Sequence, residues 1–202
     1  NSIPDECEVP DHLELLVTSG TLDNVIAYHG HTGLPLGSIV SSGSGGLDDA
    51  RGIAIDSAGD AYVSASGPAD TVIKYSGLTG QRLQQFTAPE LDGPVGLVLL
   101  EPTTLLVASY STYSVLEFYL ETKAFLGHRV PPGAGGLYGP GAICLGPDGH
   151  LLVSSQQSHK VLEFDADGNF VRCAADNVPY PQGLLFHDDG SLLVAAFLES
   201  RV

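Results

Sequence analysis

The sequence repeats itself about every 45 residues, and this repeat constrains the fold more than any other feature. Five short segments rich in leucine, valine and alanine resemble one another, and they share the valines Val17, Val63, Val107, Val153 and Val194. Successive valines are separated by 46, 44, 46 and 41 residues. A fixed period of this length indicates a chain built from several copies of one supersecondary unit.

Each copy contains four short apolar runs with turn-forming residues between them. In the best copy these runs are residues 52–56, 61–66, 72–75 and 82–86. Short runs rich in Val, Ile, Leu, Tyr and Phe predict strands, and a glycine such as Gly59 suits a tight hairpin. Four antiparallel strands at a period of roughly 40–50 residues predict an all-β protein, a β-propeller of four-stranded antiparallel blades with essentially no helix.

The copies predict about four and a half blades. The segments are a partial blade at 14–40, blades at 52–86, 96–130 and 142–173, and a partial blade at 183–202. Closure into four blades would leave residues 192–202 surplus, so we interpret the chain as part of a six-bladed ring. An open ring exposes two sheet edges, which predicts either further blades or self-association through those edges.

The best copy also resembles an NHL repeat. Gly52-Ile-Ala-Ile-Asp56 is followed by Tyr62 and Val63, and Pro94 and Pro181 supply the family's proline in other copies. The resemblance covers about residues 14–202 and implies a propeller, but it implies little about activity. Many NHL repeats carry Asp two residues after the second-strand valine, where this chain has Ser19, Ala65, Ser109, Ser155 and Ala196. The departure implies that hydrogen bonding between blades differs from the family pattern.

Residues 1–13 are predicted to be a leader. Segment 1–7, Asn-Ser-Ile-Pro-Asp-Glu-Cys, resembles the end of an acidic calcium-type repeat that reads Asn-Gly-Ile-Pro-Asp-Glu-Cys and occurs in secreted bacterial proteins. This resemblance implies a secreted or cell-surface protein and an upstream disulfide partner for Cys7. A free cysteine in a flexible leader is the alternative.

Composition excludes several classes of partner and structure. The formal charge is −16, and the eight basic residues are scattered, which argues against nucleic-acid binding. The apolar stretch 95–100 is far shorter than the roughly 18 residues of a membrane span. Cys144 and Cys173 are expected on inner and outer strands of one blade, too far apart for a disulfide, and we interpret both as buried small apolar residues.

The sequence offers little evidence for catalysis. The residues before the predicted inner strands are Arg51, Val95, Gly141 and Gln182, with no His or carboxylate among them. Enzymes on this scaffold include streptogramin lyases, which tend to have Trp-rich strands or a His there, and lactonases that bind calcium at the channel mouth. Segment 165–169 resembles the start of a calcium loop but lacks its later ligands, so it is predicted to be a turn. No cofactor, metal site or catalytic residue is predicted, and weak surface Ca²⁺ is the alternative.

The predicted function is an extracellular recognition module or structural scaffold that binds a protein or glycan through one loop face. In NHL-type propellers the loops after second strands and before inner strands cluster on that face, where departures from the repeat can add function. The candidate binding residues are Tyr110, Tyr113, Gln156, Gln157, His159 and Phe197. Exposed aromatic rings with adaptable amides suit protein or glycan contact. Two alternatives stay open: the rings cover neighbouring blades, or the chain is a channel-site lyase or lactonase with a divalent metal.

Overall fold

The computed structural model describes residues 14–100, 102–187 and 189–197, and these residues form an all-β fold. Seventeen strands make five separate sheets. Within each sheet the strands follow chain order, and neighbouring strands are antiparallel. The predicted β-propeller of four-stranded antiparallel blades is confirmed. The helical segments among the described residues are two short 3₁₀ turns, Ser44–Gly46 and Ala134–Gly136.

We number the five sheets as blades 1 to 5 in chain order. Blade 1 contains three strands: β1 (Glu14–Ser19), β2 (Asn24–His29) and β3 (Pro35–Val40). Blade 2 contains β4 (Ala50–Ile55), β5 (Ala61–Ala65), β6 (Thr71–Tyr75) and β7 (Arg82–Phe86). Blade 3 contains β8 (Pro94–Leu100), β9 (Thr104–Ser109), β10 (Ser114–Tyr119) and β11 (Phe125–Val130). Blade 4 contains β12 (Pro140–Leu145), β13 (Leu151–Ser155), β14 (Lys160–Phe164) and β15 (Phe170–Ala175). Blade 5 contains β16 (Pro181–Phe186) and β17 (Leu192–Ala196).

The inner strands β4, β8, β12 and β16 each begin two residues earlier than the sequence predicts. The added residues precede a register shift: Ala50 pairs with Ala65, but the next pair is Ile53 with Val63. The same irregularity follows the first residue of each other inner strand. A β-bulge redirects the residue it contains, so the second residue of each inner strand leaves the regular ladder.

The blades are held together by apolar side chains between facing sheets. The inner strands contact one another in sequence, which places them nearest the axis. The repeated valines Val63, Val107 and Val153 are completely buried, whereas Val17 in blade 1 is 39% exposed. The difference arises because blades 2 to 4 have a described neighbour on both sides. Strands β1 and β17 lie at sheet edges, so self-association through these edges stays a prediction.

The two described cysteines are both free. Cys144 is half-buried in β12, and burial raises the pKa of its thiol to about 11. The prediction of a buried residue is wrong for Cys173, because the outer strand β15 leaves its first four residues exposed. Cys7, the leader and residues 198–202 lie outside the described residues. The described part of the chain contains no helix of the length and apolarity that crossing a membrane requires.

Candidate functional site

Three repeated positions meet where the loops reach the propeller axis. The first is the residue immediately before each inner strand, here called the pre-strand position: Asp49, Gly93, Gly139 and Tyr180. All four have positive φ, between 48° and 64°. Glycine adopts this conformation without strain, whereas a bulky residue such as tyrosine rarely does. Tyr180 is therefore held in place by contacts beyond its own backbone preference.

The other two positions are neighbours of the first. The inner-strand position is the bulged second residue of each inner strand: Arg51, Val95, Gly141 and Gln182. The loop position is the first residue after each second strand: Ser66, Tyr110, Gln156 and Phe197. Each loop-position N–H donates to the carbonyl of the pre-strand residue in the same blade, at 3.0 to 3.2 Å. The three positions thus form one unit, repeated in blades 2 to 5.

These positions enclose a cavity of about 390 Å³. Its lining residues are Asp49, Arg51, Ser66, Gly93, Val95, Tyr110, Gln156, Tyr180 and Gln182. All nine come from the twelve residues of the three repeated positions. Because equivalent residues of four blades contribute, the cavity lies at the axis of the propeller and belongs to no single blade.

Two glycines in blade 4 make room for side chains at the cavity. A Cβ on Gly141 would lie 2.3 Å from Nε2 of Gln156, and one on Gly139 would lie 3.0 Å from the ring of Tyr110. Gln156 is only 5% exposed and lines the cavity, and its carboxamide makes no hydrogen bond with any described residue. Gln156 therefore presents an unpaired amide at the wall of the cavity.

Two tyrosines form a hydrogen-bonded pair across the cavity. The hydroxyl oxygens of Tyr110 and Tyr180 are 3.0 Å apart, and Nε2 of Gln157 donates to the Tyr110 hydroxyl at 2.7 Å. The hydrogen bond with Tyr110 raises the pKa of Tyr180, so the Tyr180 hydroxyl stays protonated at neutral pH. Oε1 of Gln157 is buried without a hydrogen-bond partner. The pair links blades 3 and 5 across blade 4.

The charged groups at the cavity neutralise each other. The guanidinium of Arg51 lies 2.8 Å from the carboxylate of Asp49, and the Arg51 side chain is 54% exposed. These are the one cation and the one carboxylate among the lining residues. A metal ion generally needs several converging ligands. The cavity therefore has the donor set of a polar, uncharged binding site.

A second set of positive-φ residues ties neighbouring blades together. In the turn before β2 of blade 1, Asp23 accepts from the N–H of Asp49 at 2.7 Å. In the turn before β6 of blade 2, Asp70 accepts from the N–H of Gly93 at 2.9 Å. At the equivalent place in blade 4, Nδ1 of His159 accepts from the N–H of Tyr180 at 3.0 Å. Each bond runs from a pre-strand position to the preceding blade. His159 thus performs the task of an aspartate, and its neutral ring must carry its proton on Nε2.

The serines two residues after the repeated valines of blades 3 and 4 hold the loop within one blade. The hydroxyl of Ser109 accepts from the N–H of Asp92 at 3.0 Å and donates to its carbonyl at 3.1 Å. The hydroxyl of Ser155 makes the same two bonds to Tyr138, at 2.8 and 3.2 Å. The turn residues described above make the bonds between blades.

The structure brings five of the six predicted binding residues to one network. Tyr110 and Gln156 line the cavity, Gln157 binds Tyr110, and His159 binds Tyr180. The exposed ring of Phe197 lies 6.4 Å from that of Tyr180. Tyr113 is different: its ring packs 4.5 Å from Tyr138, and it does not line the cavity.

Sequence reasoning missed Tyr180, which joins three of the predicted residues. Its signal was the motif Pro179-Tyr180-Pro181, because Tyr180 precedes the inner-strand proline where two other blades have glycine. The sequence named Arg51, Val95 and Gln182 only as non-catalytic residue types before the predicted inner strands, and the structure places all three in the cavity lining. The sequence could not show that the pre-strand residues face the same space.

A group of acidic and histidine side chains lies at the opposite end of blade 4. Nδ1 of His150 is 2.8 Å from Oε1 of Glu163 and 3.4 Å from Asp148. Oε2 of Glu163 lies 2.7 Å from the guanidinium of Arg172, an ion pair without hydrogen-bond geometry. This is the one group among the described residues with three metal-ligating side chains in reach of one another. The guanidinium of Arg172 already neutralises Glu163. In the nearby turn, Asp165 accepts from the N–H groups of its own loop.

No protein-family model matches this chain, and no curated protein matches it. Solved structures do resemble it. A streptogramin B lyase superposes with a TM-score of 0.70 at 15% identity, over 90% of this chain and 58% of that one. Virginiamycin B lyase from Staphylococcus aureus gives 0.68 at 14%, over 90% and 59%. Hydrazine synthase from Kuenenia stuttgartiensis gives 0.69 at 18%, over 90% and 51%. The chain thus spans little more than half the length of these proteins, and at such low identity the likeness establishes the β-propeller fold.

Proposed function

We propose that this chain is an extracellular recognition module that binds a protein or glycan partner at the axial cavity of its loop face. One observation carries the proposal. Residues from three repeated positions in four blades converge on a single cavity, and Gln156, its most buried polar side chain, keeps an unpaired amide there. A concave site with a few convergent polar groups is the usual form of a ligand site.

Recognition fits the chemistry of the lining better than catalysis does. The one carboxylate, Asp49, is paired with Arg51. The nearest histidine, His159, uses Nδ1 to hold the backbone of Tyr180. A general acid or base must be free to reach a reacting proton. The remaining lining groups are amides, hydroxyls, glycine backbone and the side chain of Val95, which orient a ligand without reacting with it.

The proposed location outside the cell rests on the resemblance of segment 1–7 to repeats of secreted proteins. The charge of −16 supports a partner that is neutral or basic, because like charges repel. Blades of short strands with buried interfaces also suit a rigid scaffold, on which a binding site is preorganised.

The proposal is tested by blocking the cavity. Gln182 is an exposed lining residue, so Gln182→Trp should fill the opening without disturbing the core. Gln81 is exposed at the opposite end of blade 2, and Gln81→Trp is the matched control. Both variants and the wild-type chain are applied to arrays of immobilised glycans and peptides. We expect ligands that Gln182→Trp loses and Gln81→Trp keeps. If every bound ligand tolerates Gln182→Trp, the cavity is not the recognition site.

A channel-site lyase or lactonase with a divalent metal is the second candidate. The hydroxyl pair of Tyr110 and Tyr180, which could move a proton within the cavity, favours it. Its test is incubation with virginiamycin B and with a simple lactone, with and without added Ca²⁺. Product formation that is lost in Tyr180→Phe would establish this candidate, and unchanged substrate would remove it.

A further inference from the structure

The hydrogen-bonding groups left over in the axial cavity include donors and acceptors together. The carboxamide of Gln156 offers two N–H donors and one carbonyl acceptor, and none of them is used by a described residue. A ligand group that satisfies both ends of one amide must itself donate and accept. Hydroxyl groups and amides have this property, whereas carboxylates, phosphates and ammonium groups do not.

Counting protons on the tyrosine pair gives a further donor. Tyr110 and Tyr180 have two hydroxyl protons, and one of these lies between their two oxygens. Gln157 donates its own proton to Tyr110 and takes none from the pair. One hydroxyl proton therefore remains for a third partner. Both tyrosines line the cavity, so a ligand can receive it.

The cavity has no unpaired charge to attract an ionic ligand. Arg51 and Asp49 are bound to each other at 2.8 Å, and the whole chain carries a charge of −16. An acidic ligand would meet the repulsion of the chain, and a basic ligand would have to displace Arg51 from Asp49. The lining is thus matched to a neutral ligand.

The side chains of the lining suit a saccharide better than a peptide. Among the lining residues, Val95 alone has an aliphatic side chain. Peptide recognition generally uses apolar pockets for side chains or an open strand edge, and the cavity provides neither. It provides two tyrosine rings beside amide and hydroxyl groups. Aromatic surfaces with such adaptable polar groups can cover the C–H faces of a sugar ring while binding its hydroxyls.

We infer that the axial cavity binds a neutral saccharide, with Gln156 bonding its hydroxyls and the rings of Tyr110 and Tyr180 contacting its faces. This inference rests on the proposed function and names the ligand class of the same site. Gln156 is the proposed specificity residue, because its carboxamide lines the cavity and makes no hydrogen bond with a described residue.

The test uses isothermal titration of the whole chain with defined oligosaccharides. The neutral probes are cellohexaose, xylohexaose, maltohexaose and chitohexaose, and the acidic probe is hexagalacturonate. The variants are Gln156→Leu and the matched Gln84→Leu, which lies on the outer strand β7 away from the cavity. We expect at least one neutral probe to bind, with an affinity at least about tenfold lower in Gln156→Leu and unchanged in Gln84→Leu. Circular dichroism and thermal melting verify that both variants are folded.

Three results would overturn the inference, and they separate it from the proposed function. If only hexagalacturonate binds and Gln156→Leu abolishes its binding, the cavity recognises a charged ligand and the inference fails alone. If a peptide on the array is the one ligand that no longer binds Gln156→Leu, the inferred ligand class is wrong, but the cavity is still the recognition site. If neither array ligands nor oligosaccharides depend on Gln156 or Gln182, both the inference and the proposed function fail.

Discussion

Gln156 and Glu163 lie at opposite ends of blade 4 and are almost equally buried, at 5% and 6% exposure, but only one of them is paired. Glu163 binds His150 at 2.8 Å and Arg172 at 2.7 Å. The carboxamide of Gln156 makes no hydrogen bond with a described residue, and it lies at the wall of the open cavity. A buried polar group costs stability unless it is satisfied. Glu163 therefore stabilises the blade through its ion pairs, whereas the amide of Gln156 is available to a ligand at the cavity.

The same contrast extends to the two ends of the propeller. At the end opposite the loop face, Nζ of Lys74 lies 2.8 Å from Asp56 and 3.0 Å from Asp60. Burial lowers the pKa of Lys74, but its hydrogen bonds with those two aspartates and with Tyr62 raise it more, so the net pKa is above the usual value. The charged groups at this end thus bind one another, while the cavity at the loop face keeps neutral groups without partners.

The largest effect is expected from Glu163→Leu. Removing the carboxylate leaves His150 and Arg172 without their partner, and we expect the free energy of unfolding to fall by about 2–3 kcal/mol. The loss stays below that of a fully buried pair because the Arg172 side chain is 64% exposed and can turn to water. Urea denaturation measures it, and Glu163→Gln, which can still bond His150, should lose less. A change below about 0.5 kcal/mol would contradict the structural role of Glu163.

A smaller loss is expected from His159→Ala. The N–H of Tyr180 loses its acceptor, which should lower the free energy of unfolding by about 1 kcal/mol. His159→Asp is the matched control, because Asp23 and Asp70 make the same bond in blades 1 and 2. We expect the aspartate variant to restore most of the loss and to retain binding at the cavity. Equal stability of the two variants would show that the bond between blades is unimportant.

A smaller effect is expected in the pH dependence of the free energy of unfolding, because Glu163 is paired with the titratable ring of His150. The hydrogen bond with Glu163 raises the pKa of His150, so the folded protein favours the protonated ring. This contribution is fully present below about pH 6.5, the usual value in the unfolded chain, and is lost as pH rises through the raised folded value. The difference in unfolding free energy between wild type and His150→Gln should therefore be larger at about pH 6 than at about pH 9. A difference that grows with pH would contradict the assignment.

The smallest change in stability is expected from Gln156→Leu, although the residue is as buried as Glu163. Its amide has no hydrogen bond to lose, and leucine fills a similar volume, so the free energy of unfolding should change by less than about 0.5 kcal/mol or rise. Thermal melting of this variant beside Glu163→Leu makes the comparison directly. A loss as large as that of Glu163→Leu would show that Gln156 has a structural partner after all.

Much of the architecture was predictable because the repeat is strong. The spacing of Val63, Val107 and Val153 predicted the blades, and their burial follows from the need of each sheet to cover its apolar face. The sequence predicted the start of each inner strand two residues too late. A bulge separates the first pair, such as Ala50 with Ala65, from the regular ladder, so the apolar pattern does not include it. The candidate loops were found where the sequence departs from its repeat, but Tyr180 was not.

By itself, the sequence determined the all-β class, the antiparallel four-stranded blade and the candidate loops, since these depend on local patterns of apolar and turn-forming residues. Only the tertiary structure decided which loop residues meet. Gln156, Tyr110 and Tyr180 come from three different blades and share one cavity because the blades turn about a common axis. Their partners depend on distances across that axis, which no local pattern records. The pairing of Glu163 and the free amide of Gln156 therefore became visible only in the folded chain.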